Sequence, residues 1–143
     1  MTQFRTWARV ACASVACSGV LVGCGESAQD RSTAAFQLGE ARKLLEIVRS
    51  RFEQGMVRGG ANDVIFDNAS SYVNAEIRAI VGKRVPDADK RGQLAALSDE
   101  LAQTFNEKVA AKVDVAEPDF QAGLAGLDEC VSILDRMEAV INK

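Results

Sequence analysis

Apolar residues recur three or four positions apart along almost the whole of this chain after residue 33, and that spacing constrains the fold more than any other feature. The clearest case is Phe120, Leu124, Leu127, Val131, Leu134, Met137 and Ile141, which fall on one side of a helix with 3.6 residues per turn. Ala34, Leu38, Ala41, Leu45, Val48 and Phe52 form a similar seam. So do Phe66, Ala69, Val73, Ile77 and Ile80, and Leu94, Leu97, Leu101, Phe105 and Val109, with Ala95 and Ala102 small enough for close approach. No stretch alternates apolar and polar residues in the period of two that a half-buried strand needs.

Breaker residues separate the four seams. Gly55 ends the first, and the loop MVRGGAND follows, with Asn62 or Asp63 expected to cap the second helix. Gly82 and Pro86 bracket the end of the second, the third begins after Asp87 and stops near Asp114, and Pro118 is expected at the first helical position of the fourth, with Asp119 in its first turn. Four amphipathic helices joined by short loops bury their stripes most economically as an all-α, antiparallel up-down four-helix bundle spanning residues 33–143. At 1.5 Å per residue, helices of about 20 to 26 residues make a rod about 30–39 Å long. An even number of helices puts both ends of the domain at one end of that rod.

The first 23 residues differ in kind. Arg5 and Arg9 are their only charges, and Val10 to Val22 (VACASVACSGVLV) carries no strongly polar group, the form of a secretory signal segment rather than of a span of about 20 apolar residues. A cysteine stands where the run stops. Leu21, Val22, Gly23 and Cys24 resemble the lipobox of bacterial lipoproteins, and the chain then turns abruptly to GESAQDRS. The resemblance covers the signal segment alone. It implies cleavage between Gly23 and Cys24, a diacylglycerol thioether on the Cys24 sulfur and acylation of the new amino terminus. A thiol takes such a lipid where an alanine offers no nucleophile. Residues 1–23 are then a signal peptide and residues 24–32 a lipidated, flexible tether.

Each buried methylene contributes about 0.8 kcal/mol, so two or three acyl chains hold a protein at a membrane durably. The expected address is the cell envelope. In lipoproteins of bacteria with an outer membrane, aspartate after the cysteine favours retention at the inner one; Gly25 stands here, so the outer membrane, facing the periplasm, is favoured for such a host.

Removing the signal takes two arginines, leaving 15 basic against 20 acidic side chains, a formal charge of 15 minus 20, or −5. That balance disfavours nucleic acid as a partner. Of the four cysteines, Cys12 and Cys17 leave with the signal and Cys24 is capped, so Cys130 alone keeps a thiol. It lies at the edge of the last apolar stripe, where a free cysteine packs as a small hydrophobe.

Histidine is absent from the chain. Histidine-ligated haem, Glu-x-x-His di-iron sites and hydrolase constellations with a histidine base are excluded with it. Carboxylates at helical spacing occur as Asp63 with Asp67, Asp128 with Asp135, and Asp135 with Glu138, all on faces expected to meet water. Asp87, Asp89 and Gly92 in PDADKRG imitate the start of a calcium loop, but Arg91 and Ser98 occupy places that need oxygen ligands, so a cap and turn is expected. Arg42, Glu46, Arg49 and Glu53 alternate in sign along the first helix as a solvated ladder, and Lys83, Arg84, Lys90 and Arg91 form a basic loop around Pro86. No catalytic, cofactor-binding or metal-binding residue is assigned.

The expected function is a non-enzymatic one: a membrane-tethered helical lipoprotein that binds another envelope protein, with the membrane contacted through the Cys24 lipid. A periplasmic small-ligand or metal carrier, using Met56 and Met137, and a histidine-free enzyme using carboxylates are the alternatives.

Overall fold

The structure is a computed structural model and describes residues 28–143. The expectations at residues 1–23, at Gly23 and at Cys24 lie outside the described residues. Among those described, the fold is all-helical and contains four helices. The first, α1, is Ala28–Glu53. Ala61–Ser71, a π-helical turn Tyr72–Glu76 and Ile77–Arg84 run on without interruption as α2, residues 61–84. Ala88–Thr104, a second π turn Phe105–Ala110 and Ala111–Val113 form α3, residues 88–113. The last, α4, is Phe120–Ile141.

Every residue of the first expected seam is buried, as are Phe66, Ala69, Val73 and Ile77 of the second and all five named residues of the third. Ile80 is half-buried. On α4 the buried stripe is rotated from the one expected. Gly123, Gly126, Cys130, Ile133 and Val140 join Leu127, Leu134, Met137 and Ile141 inside, while Phe120, Leu124 and Val131 flank them. The glycines explain the rotation, because a face with no side chain lets α3 approach until that face becomes the interior.

The π turns also follow from spacing. Leu97, Leu101, Phe105, Val109 and Val113 are separated by four residues each time, and in a regular α-helix each such step turns the stripe about 40° away from its neighbour. A single wider turn takes up that drift. The π turn at 105–110 lies inside this run, and Val109 and Val113 stay buried beyond it. Ala69, Val73 and Ile77 repeat the pattern around the π turn at 72–76. Asn74 and Asn106 join the two π turns through reciprocal amide hydrogen bonds of 3.2 and 2.8 Å.

Three helix ends differ from expectation, and the start of α3 agrees with it. Residues 28–32 continue α1 into the segment read as tether, in keeping with the good helix formers Ala28, Gln29 and Arg31. At the start of α2, Gly59 and Gly60 adopt φ of 107° and 58°, so the helix begins at Ala61; Asp63 accepts from the Gly59 amide at 3.1 Å rather than capping. Asp87 caps α3, accepting from the Lys90 amide at 2.8 Å, which makes PDADKRG a cap and turn. Asp119 is the cap of α4, accepting from the Ala122 amide at 2.9 Å, and Pro118 stands outside the helix. A short carboxylate reaches an amide three residues ahead more readily than it serves within the first turn.

Each helix packs on two others: α1 on α4 and α2, α3 on α2 and α4. A chain of four phenylalanine rings crosses all of them, with centroids 5.8 Å apart for Phe105 and Phe66, 6.3 Å for Phe66 and Phe52, and 6.0 Å for Phe52 and Phe120. At the other end of the core, Ala34 and Leu38 of α1, Ile77 and Ile80 of α2 and Ile141 of α4 line one small space. The start of α1 and the end of α4 therefore share one end of the molecule. These contacts are compatible with antiparallel neighbours throughout.

Candidate functional site

The carboxylates spaced for a paired site on α4 meet arginines of α1. The Arg42 guanidinium lies 2.5 Å from Asp135 and 3.0 Å from Glu138, and Arg49 pairs with Asp128. These are the two arginines of the expected solvated ladder, so its cations turn across the interface instead of running along their own helix toward Glu46 and Glu53. Arg42 directly follows Ala41 and lies about one turn before Leu45, both in the core, which brings its head group to the seam where α4 presents its acids. Similar links join α3 to α4, at 2.6 Å between Glu100 and Arg136 and 2.5 Å between Lys108 and Glu129, and α2 to α3, at 2.7 Å between Arg78 and Asp99. Exposed pairs of this kind contribute little to stability. They register neighbouring helices against one another.

Asp63 and Asp67 gather around Arg58, a residue to which the sequence pattern assigned no role. Arg58 donates from Nε and NH2 to the two carboxylate oxygens of Asp114, at 3.0 and 2.7 Å, and from NH1 to Asp67 at 2.8 Å. Asp63 is 3.7 Å away, and the guanidinium sits 5.0 Å from the centroid of the Phe66 ring. The 54–60 turn is thereby tied to the end of α3 and to the start of α2. The hydrogen bond from Arg58 holds the Asp114 carboxyl below its usual range, and the paired acids raise Arg58 further above its own. The available sequence signal was a lone arginine between two glycine-bounded helices with acids at i+5 and i+9; nothing in it pointed to Asp114.

Replacing Arg58 by alanine will cost about 1 kcal/mol at neutral pH, the scale of an exposed fork-shaped ion pair with a ring contact. Because the folded pKa of Asp114 is depressed, this contribution is fully present above the ordinary aspartate value near 3.9 and is lost as pH falls through the lower folded value. Urea unfolding at neutral and at strongly acid pH will show the wild type and Arg58→Ala differing at the first and converging at the second. A gap that persists in acid would assign the effect to packing of the arginine on Phe66.

Beside this node lies an open groove of about 260 Å³ lined by Gly55, Met56, Val57, Val113, Asp114, Val115, Pro118 and Phe120. A broader one of about 450 Å³ runs between α3 and α4, bordered by Gln93, Leu97, Glu100, Arg136, Val140 and Lys143. Inside the core, the spaces beside Phe52 and Phe66 and beside Leu38 and Ile77 each measure about 10 Å³. That is the volume of one water at most.

Cys130 is fully buried, at the centre of the α4 stripe rather than at its edge. Burial first, and the Glu129 charge second, push its thiol up to about 12. It is protonated at any physiological pH and sits away from oxidants. Met56, in the far groove, and Met137, in the core, are not brought together as a sulfur pair. No group of three or more histidine, cysteine or acidic side chains among the described residues is arranged to hold a metal ion. Among the same residues no helix is long and apolar enough to cross a membrane.

Two large apolar side chains of α1 face outward. Phe36 is 61% exposed and Ile47 43% exposed, and eleven residues place them on nearly one line, about 16 Å apart. Val64 on α2 and Val115 before α4 are also exposed.

Compared with protein-family models, with curated proteins and with solved structures, the chain has no match.

Proposed function

We propose that this protein is a lipid-anchored lipoprotein of the bacterial envelope whose domain, an up-down-up-down four-helix bundle, acts by binding another envelope protein rather than by catalysis. The observation that carries the reading is the sequence Leu21-Val22-Gly23-Cys24 at the end of the apolar run, followed at once by a polar segment. The signal is removed before Cys24, the thiol carries the lipid, and the domain faces the periplasm, at the outer membrane where the host has one.

Two structural observations support the binding role. The paired carboxylates on α4 and at the start of α2 face Arg42, Arg49 and Arg58, which gives them a structural duty in joining helices. The core spaces admit no more than a water each, so a carrier would have to hold its ligand on an open surface groove. The up-down arrangement draws support from the pairings between neighbours: Arg42 with Glu138 but Arg49 with Asp128, and Asn74 with Asn106 but Arg78 with Asp99, rise on one helix as they fall on the other.

Affinity capture of the natively produced protein from detergent-solubilised membranes is the test. A stoichiometric envelope protein that is lost when Phe36 and Ile47 are both changed to serine supports the reading. Capture of the bait alone, at full anchoring, contradicts it.

A further inference from the structure

We propose that the end of the bundle built from the 83–91 turn rests on an anionic phospholipid surface, so that the domain stands with its opposite end directed away from the membrane. The inference depends on the anchor proposed above and adds to it an orientation.

Charge is divided between the two ends. Within the turn that joins α2 to α3, Lys83, Arg84, Lys90 and Arg91 outnumber Asp87 and Asp89. Around the far loops, Asp63, Asp67, Asp114, Glu117 and Asp119 outnumber Arg58 and Lys112. The domain is acidic as a whole, so an anionic surface repels it in most orientations and attracts it in one.

The basic turn is also tied to the core. Val85 is buried, and Arg91 folds back to donate to the carbonyls of Val85 and Pro86 at 3.0 and 2.5 Å. Carbonyls take up its hydrogen bonds without cancelling its charge. Lys83 and Arg84 are exposed at the last turn of α2.

Position completes the argument. Ile77 and Ile80, just before the turn, share a space with Ala34 and Leu38 near the start of α1. Cys24 is four residues before Ala28, and four residues reach at most about 14 Å. An acylated Cys24 thus brings this end close to the headgroups, where the surface potential acts over about 8–10 Å. The far end, with its acids and the groove beside Arg58, is left to face the periplasm.

Amine acylation of the natively lipidated full chain, followed residue by residue by mass spectrometry, tests this. In vesicles of phosphatidylcholine mixed with phosphatidylglycerol, Lys83 should react more slowly than in phosphatidylcholine alone, by roughly fivefold, the weight of one basic residue at such a surface. Lys112 at the far end should react equally in both, and the protection of Lys83 should vanish in high salt and in Arg84→Glu. Equal rates at Lys83 in the two vesicles, on protein whose intact mass shows the lipid, would overturn the orientation and leave the anchor standing. Protection of Lys83 in native membranes but in neither of the two lipid vesicles would assign the turn to an acidic protein partner and overturn it equally. A bare residue 24 removes the anchor and this inference together.

Discussion

Phe105→Ala will lower the free energy of unfolding by about 3–5 kcal/mol, the range for deleting a fully buried phenylalanine. Phe105 is wholly inaccessible, and its ring ends the chain of four that passes through Phe66 and Phe52 to Phe120. It also opens the π turn of α3. A domain of this size holds only about 5–15 kcal/mol in total, so the loss is a large fraction of its stability. Phe105→Leu keeps most of the volume and should cost less than about 1.5 kcal/mol. Urea titration followed by circular dichroism measures both. A loss below about 1.5 kcal/mol for the alanine variant would mean that the core repacks and that the aromatic chain is incidental.

The second large effect has opposite signs at two glycines of similar helical setting. A β-carbon at Gly126 would lie 2.6 Å from the Lys108 carbonyl oxygen and 2.8 Å from its carbon, backbone atoms that cannot rotate away. At Gly39, in the middle of α1, it would meet nothing within 4 Å. Alanine gains up to about 1 kcal/mol over glycine in a helix from backbone entropy alone. Gly39→Ala should therefore raise stability by about 0.5–1 kcal/mol, while Gly126→Ala should lower it by about 1–2 kcal/mol after that gain is subtracted from the overpacking cost. Gly123 is expected to fall between them, since the atom crowding it at 2.5 Å is the tip of the Val113 side chain. Thermal unfolding of the three variants gives the order directly, and a stabilised Gly126→Ala would contradict the close approach of α3 and α4.

The helices themselves were legible because burial in a bundle is written along each sequence separately. The seam from Ala34 to Phe52 needs no knowledge of its partners. The π turns were encoded as well, in the run of four-residue steps from Leu97 to Val113, but only a reading that tracks the accumulated rotation detects them. The α4 stripe was misplaced for a related reason. Large side chains such as Leu124 and Val131 outweigh glycine in any apolar pattern, yet Gly126 faces the interior because α3 comes close there.

Polar contacts were the less readable part. The ladder Arg42, Glu46, Arg49 and Glu53 satisfies the rule for pairs within a helix, and its arginines nonetheless reach Asp135, Glu138 and Asp128, more than 75 residues away in the chain. A long flexible cation chooses among carboxylates that only the fold brings near. Arg58 is the same case in sharper form, since its main partner, Asp114, lies at the end of a different helix.

The proposed anchor depends on the chemistry of one sulfur, and intact-mass measurement of the protein purified from its own membranes tests it most directly. A chain that begins at Cys24 and exceeds its amino-acid mass by a diacylglycerol, with a further acyl group where the amino terminus is modified, is the predicted result. A mature chain with an unmodified Cys24, or one that retains Met1 to Gly23, would contradict it.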